Sequence, residues 1–282
     1  MVRAGAEKKI VNEHFQANAL FWKEIYEASS LYGKIHQFRL AAVLNLVDKL
    51  DLLVGSFVLV VGCGAGHSAV ALARRGHRVE AVDAAPAMID LTRRSAASAG
   101  LQDRITASIG DIDQMAFPDN TFDLVLTIGV TPWLSSLTTA VQEVARVLKP
   151  KGYLVISMEN RWSASQILDP WHNPVLAPAR DGMRKLIWRC GLRAQPLNKI
   201  RAHRYSIGQF DTHLEATGLK KIEGRTFGFG PFRFFGHRLF SEAFGTTLHE
   251  KLQELADHNI PPIRSAGNQY LALMKKHDRI AA

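Results

Sequence analysis

Five consecutive apolar residues, Phe57-Val58-Leu59-Val60-Val61, run straight into Gly62-Cys63-Gly64-Ala65-Gly66. A short, unbroken apolar run is what a strand buried on both faces requires. The glycines behind it reach backbone conformations closed to other residues and let a ligand approach the main chain. Residues 68–75 then read as a helix stopped by Gly76. A strand, a glycine-rich turn and a helix N-terminus with free N–H groups make an anion or nucleotide site. The spacing is G-x-G-x-G, which differs from the G-x-G-x-x-G of dinucleotide folds.

The alternation continues for a hundred residues. Residues 78–82 read as a second strand ending at Asp83, and 86–99 as a helix opened by Pro86 and stopped by Gly100. Strands follow at 105–109, 122–128 and 153–157, with a helix at 135–148 ahead of Pro150. Such a series predicts an α/β fold, a Rossmann-like and mostly parallel sheet with helices on both faces. Two acids sharpen the ligand reading. Asp83 ends the second strand, where a carboxylate can accept from both ribose hydroxyls, and Asp111 follows the third, where one can accept from an adenine amino group.

These residues carry a family resemblance. Val58 through Gly66, Val79-Glu80-Ala81-Val82-Asp83 and Gly110-Asp111-Ile112 resemble successive cofactor motifs of the class I S-adenosylmethionine-dependent methyltransferases. Residues 117–123 and 146–153 are similar to the family's lead-ins to the fourth and fifth strands, so the resemblance covers about residues 57–158. It implies a seven-stranded sheet ordered 3-2-1-4-5-7-6 with strand 7 antiparallel, and S-adenosyl-L-methionine as cofactor. It implies Gly62, Gly64 and Gly66 under the methionine part, Asp83 on the ribose, Asp111 with Ile112 at the adenine and Met88 on its side. Cys63, Ala84 and Ile128 complete the implied cofactor set. One position departs: the family usually has an acid two residues before the first glycine, and this chain has Val60. A charge-assisted hydrogen bond lost there costs about 1.5–3 kcal/mol unless another group replaces it.

The flanks are read differently. Residues 1–50 predict a helical arm or lid, 51–160 the cofactor core, 161–205 a basic cap insertion, and 206–282 the completion of the sheet, with an aromatic and helical insertion at 231–265. Within the arm, Tyr32, His36 and Arg39 fall on one helical face. Tyr32 and His36 are the candidate catalytic pair, and the arm loosely resembles that of magnesium-protoporphyrin O-methyltransferases. His203 with Tyr205, and His172, are rival bases. Trp133, Trp162 and Trp171 are candidates to line an apolar acceptor pocket. Met183, Leu186, Ile187 and Cys190 form an apolar stripe among arginines, expected to cap the acceptor site or to rest on a membrane. Phe227, Phe229, Phe232, Phe234 and Phe235 form an aromatic run suited to a lipid-like substrate.

Composition limits the partners. The 282 residues are 47% hydrophobic and 22% charged, enough for a large core. Two cysteines exclude a disulfide framework and a thiolate zinc cluster, and no metal is expected. No apolar run reaches the ~18–20 residues of a membrane span, and residues 1–10 lack an apolar signal core, which predicts a cytoplasmic protein. Residues 161–282 carry 19 basic and 10 acidic side chains, so the whole net charge of +9 lies there. Residues 180–204 hold eight Arg or Lys against Asp181. The expectation is a methyltransferase acting on oxygen of a small or lipid-like, anionic metabolite. RNA methylation, peripheral membrane contact and cofactor binding without transfer are the alternatives.

Overall fold

A computed structural model describes residues 2–190 and 202–277. The chain opens with three helices, α1 (Val2–Ala17), α2 (Ala19–Glu24) and α3 (Leu31–Val47). The alternating region follows as β1 (Phe57–Val61), α4 (His67–Arg74), β2 (Arg78–Asp83), α5 (Pro86–Ser98), β3 (Ile105–Ile109), β4 (Phe122–Thr127), α6 (Leu137–Val147) and β5 (Leu148–Asn160). Then come α7 (Ala164–Leu168), α8 (Ala177–Arg189), the short β6 (Arg204–Tyr205), α9 (Ile207–Glu215) and β7 (Leu219–Phe227). A hairpin of β8 (Arg233–Phe234) and β9 (His237–Arg238), helix α10 (Glu242–Asp257) and β10 (Gln269–Lys276) close the chain.

The main sheet runs β3-β2-β1-β4-β5-β10-β7, with β6 paired to β5. β1 to β5 are parallel, and β10 is antiparallel to both β5 and β7. This is the expected order, with the last strand in sequence inserted sixth in space. The apolar runs of β1, β4 and β5 explain their central places: Val58, Leu59, Leu124, Val125, Leu154 and Val155 are all inaccessible to solvent. One face packs on α6 and α9 through Val141, Val144, Phe210 and Leu214. The other packs on α3, α4 and α5 through Val43, Leu46, Leu72 and Ile89.

Some elements differ from the sequence expectation. β5 begins at Leu148, ahead of Pro150, because Leu148 already pairs with Phe122. α10 begins at Glu242, where Ser241 caps it by accepting from the Phe244 amide. The aromatic run divides. Phe227, Phe229 and Phe232 are buried, while Phe234 and Phe235 stand in solvent on the hairpin. His249 and Gln253 of α10 hold the intervening turn, accepting from the Phe229 and Gly228 amides at 3.1 and 3.0 Å.

α1 and α2 lie over the carboxyl edge of the sheet. Phe15, Ala19 and Trp22 pack with Ala65, Ala85, Met88 and Leu91. Gln16 accepts from the Ala87 amide at 2.9 Å, satisfying a free N–H in the first turn of α5. Among the described residues no helix is long and apolar enough to cross a membrane.

Candidate functional site

A cavity of about 250 Å³ opens at the carboxyl ends of β1, β2, β3 and β4, under α1, α2 and α3. Its floor is the turn between β1 and α4. Gly62, Gly64 and Gly66 there take φ of 67°, 56° and 88°, a region that costs other L-residues roughly 1–2 kcal/mol. A Cβ at Gly62 would collide with the Val130 side chain, whereas one at Gly64 would enter open space. Gly66 is off the cavity wall. It caps α4 and leaves room for Thr92 of α5, 3.0 Å from where its Cβ would stand.

The turn is tied down from three sides. Asp83 Oδ2 accepts from the Gly64 amide at 3.0 Å and Oδ1 from the Ala85 amide at 2.9 Å. Thr92 and Ser95 donate to the Gly64 and Ala65 carbonyls at 2.8 and 2.9 Å. Burial pushes the Asp83 carboxyl up from its ordinary pKa, and these amide donors oppose that shift. Cys63 is buried, its thiol pushed up to about 12 by burial and by the neighbouring Asp83, so it is no nucleophile.

Gly62, Cys63, Gly64, Asp83, Ala84, Met88, Asp111, Ile112 and Ile128 all line this cavity, as do Tyr32 and His36. Asp111 is already engaged: Oδ2 accepts from Lys8 of α1 at 2.7 Å and Oδ1 from the Asp113 amide at 3.0 Å. Val60 is buried on the wall, and the wall's carboxylates are Asp83, Asp111 and Glu159.

The roof is made of side chains. His36 is buried, and its Nδ1 lies 2.9 Å from the Tyr32 carbonyl oxygen. That oxygen can only accept, so Nδ1 carries the proton and Nε2 keeps its lone pair. Burial and the nearby Arg39 guanidinium lower the imidazole pKa to about 4, so His36 is neutral at pH 7. Tyr32 packs edge-on against it at 4.4 Å between ring centroids, and desolvation raises its phenol pKa.

Arg39 is only 8% exposed and forms no salt bridge among the described residues. It donates to Tyr26 Oη at 2.8 Å and to Gln269 Oε1 at 3.5 Å, while its Nε is buried without a partner. The indole Nε1 of Trp22, another wall residue, is likewise unpartnered. Desolvating a guanidinium costs several kcal/mol unless an anion compensates.

Other expected residues lie elsewhere. Trp133 is on the wall, but Trp162 and Trp171 are exposed and off it. His172, His203 and Tyr205 do not reach the cavity. The apolar stripe of α8 faces outward, with Met183, Leu186 and Cys190 exposed, so it does not cap this cavity. The side chains of Arg184 and Ile187, and all of Arg193, Lys199 and Arg201, fall outside the described residues.

The wall also includes Lys8, Trp22, Tyr26, His67, Glu159 and Gln269, which are not among the candidate site residues of the sequence. Trp22 and Tyr26 stand four apart in the arm, and His67 directly follows the glycine turn, both visible signals. Glu159 and Gln269 meet only through the antiparallel register of β5 and β10.

Known proteins resemble this chain chiefly over its central segment. Residues 59–156 match the family described as methyltransferase domain. Malonyl-[acyl-carrier protein] O-methyltransferase of Serratia marcescens is 36% identical over 118 residues, covering 42% of this chain and 44% of that protein. Ubiquinone biosynthesis O-methyltransferase of Xylella fastidiosa (strain 9a5c) is 34% identical over 126 residues, 44% of this chain and 50% of that one. The chain thus spans half or less of these relatives' length. Magnesium protoporphyrin IX methyltransferase from Synechocystis PCC 6803, solved with bound SAH, superposes with a TM-score of 0.63 over 96% of this chain and 99% of that one. At 15% identity that likeness establishes the fold alone.

The segment 59–156 is thus similar in sequence to methyltransferase domains, and the fold around it is one that methyltransferases share.

Proposed function

We propose that the protein methylates an oxygen atom of a small or lipid-like, anionic metabolite, with His36 as general base. The observation that carries this reading is one cavity shared by the glycine turn, Asp83 and a neutral imidazole whose Nε2 is free. The cavity suits the cofactor on two counts. The space above Gly64 is open, and Arg39 and Trp22 keep unpartnered donors. When bound, S-adenosylmethionine supplies an electrophilic methyl group on a sulfonium.

Asp83 would hold the ribose hydroxyls, and Asp111, with Ile112 and Met88 beside it, the adenine. Arg39 would take the carboxylate of the methionine part. Its Nη1 lies 3.1 Å from where a Gly129 Cβ would stand, and Val130, the next residue, packs against Gly62. Arg39 therefore belongs to the turn's neighbourhood. His36 would accept the proton of an acceptor hydroxyl at Nε2, while the Tyr32 carbonyl fixes its tautomer. Tyr32 and Trp133 would flank the acceptor. Both the Serratia and the Xylella relatives are named as O-methyltransferases, and this supports oxygen as the methylated atom.

Incubation with methyl-tritiated cofactor and fractionated metabolite and lipid extracts tests the reading. Label should enter an acidic or amphipathic product by an ether or ester linkage, and His36→Ala should slow transfer by about 10²–10⁴-fold while calorimetry still shows adenosylhomocysteine binding. Tight cofactor binding with no labelled product in any fraction would leave a binding protein instead.

A further inference from the structure

Ile167 and Leu168 of α7, Trp171 and Leu176 after it, and Phe234 and Phe235 of the hairpin are all exposed. α7 lies against β8 of the hairpin, so these side chains share a neighbourhood. Trp171 and Phe235 stack edge-on at 5.9 Å, Phe234 and Phe235 at 4.8 Å, and Phe240 meets Phe244 at 5.0 Å where α10 begins. The hairpin turn consists of Phe235 and Gly236 with φ of 49° and 83°. Two positive φ values suit a tight two-residue turn, but an aromatic residue is a costly choice for the first. The result is a phenylalanine at the hairpin turn, beside Trp171 and still 50% exposed.

The rim of this face is cationic. Arg233 and Arg238 stand directly opposite each other across the hairpin. Like charges so placed repel, and only Arg238 finds a carboxylate, Glu242 at 2.6 Å. Arg161 lies over the exposed Trp162 ring at 5.9 Å, and Lys185 and Arg189 are exposed on α8. Residues 161–190 and 231–245 contain seven Arg or Lys against Asp169, Asp181 and Glu242. Asp169 is buried and bonded to His172 at 2.8 Å.

We propose that this face docks the protein on an anionic lipid surface. Protruding aromatic and aliphatic side chains need no complementary pocket in a bilayer, and arginines around them reach headgroup phosphates. A second copy would set one cationic rim against another, which disfavours self-association through the face. The face also adjoins the cavity mouth. Glu242 accepts from the Leu31 amide at 2.7 Å, next to Tyr32, and the chain passes from Glu159 of β5, on the cavity wall, to Trp162 in the following turn within three residues. A lipid-borne acceptor would then meet the cavity from the bilayer; that clause rests on the methyl-transfer reading, and the docking does not.

Sedimentation of the whole protein with phosphatidylcholine vesicles, with and without phosphatidylglycerol, tests it. Binding should require phosphatidylglycerol and weaken as salt rises. Phe234→Ser with Phe235→Ser should cut the partition coefficient about tenfold or more, and Arg233→Ser about fivefold. An unchanged melting temperature checks that the hairpin variants fold. Independently, brominated lipids should quench tryptophan emission of the unsubstituted protein, and less so after Trp171→Phe. Equal binding to both vesicle types, no binding, or quenching indifferent to Trp171→Phe overturns the proposal. So does a dimer that the hairpin variants dissociate, or capture by an acidic carrier protein in place of vesicles. Neither readout uses methyl donor or acceptor, so failure here leaves the cofactor reading standing, and the reverse.

Discussion

The floor of the cavity is built on the main-chain turn of residues 62–65, held by Asp83, Thr92 and Ser95. The roof is made of the side chains of Trp22, Tyr26, Tyr32, His36 and Arg39, carried by α2, α3 and the turn between them. The floor works through backbone conformation, so its demands fall on glycine and on the one carboxylate that ties the turn. The roof works through chemistry at side-chain tips, so each residue there can be exchanged without disturbing the sheet. The two surfaces should therefore fail in different ways, the floor in cofactor affinity and the roof in turnover.

The largest effect belongs to the roof. His36→Ala should lower kcat by about 10²–10⁴-fold, the usual contribution of a positioned base, while the Kd for adenosylhomocysteine stays within about threefold. Steady-state kinetics with calorimetry check it, and an equal loss of affinity would erase the division. On the floor, Asp83→Ala removes a carboxylate that accepts two amide hydrogen bonds and faces the ribose site. At about 1.5–3 kcal/mol per charge-assisted bond, cofactor affinity should fall roughly 100-fold, with kcat at saturating cofactor changed far less.

A third consequence follows from the buried imidazole. The fold holds the His36 pKa at about 4, below the 6.5 of an unfolded chain. Its stabilising contribution is whole above pH 6.5 and drains away as pH falls toward 4, because the unfolded chain takes the proton first. The full loss is about 3 kcal/mol. Urea midpoints from pH 7 to pH 4.5 should fall less steeply for His36→Asn than for the unsubstituted chain. His67 and His249, also lowered by burial, leave a residual slope. Parallel curves would mean that His36 carries no such burden.

The same contrast governs what the sequence disclosed. The floor is local: strand, turn, helix and the strand-end Asp83 lie within about thirty residues, and each has a composition that suits few other conformations. The strand order is implied only by the family resemblance that those units carry. The roof is legible only in part. Tyr32, His36 and Arg39 share a helical face that periodicity exposes, whereas Gln269 reaches Arg39 across 230 residues of chain through the register of β10. Irregular segments conceal most. Trp162 and Trp171 sit among turns, where apolar character does not say which way a side chain points, and both face solvent. In the aromatic run the divide between buried Phe232 and exposed Phe234 falls at a hairpin that no alternation announces.

The smallest effect lies where floor and roof touch. Lys8 of α1 sits 2.7 Å from Asp111 and 2.5 Å from Asp113, with Lys8 and Asp111 partly in solvent, so the bridge itself is worth about 0–1 kcal/mol. Lys8→Ala should barely alter stability. It releases the α1 end of the roof from β3 and returns Asp111 Oδ2 to the cavity. The first change opens a path for both entry and exit, and the second strengthens the acceptor offered to the adenine amino group. Stopped-flow measurements should therefore find association and dissociation of adenosylhomocysteine both faster, with Kd moving less than about threefold. A tenfold rise in Kd at unchanged association rate would instead mean that Lys8 holds the bound nucleoside directly, and the floor would then extend into α1.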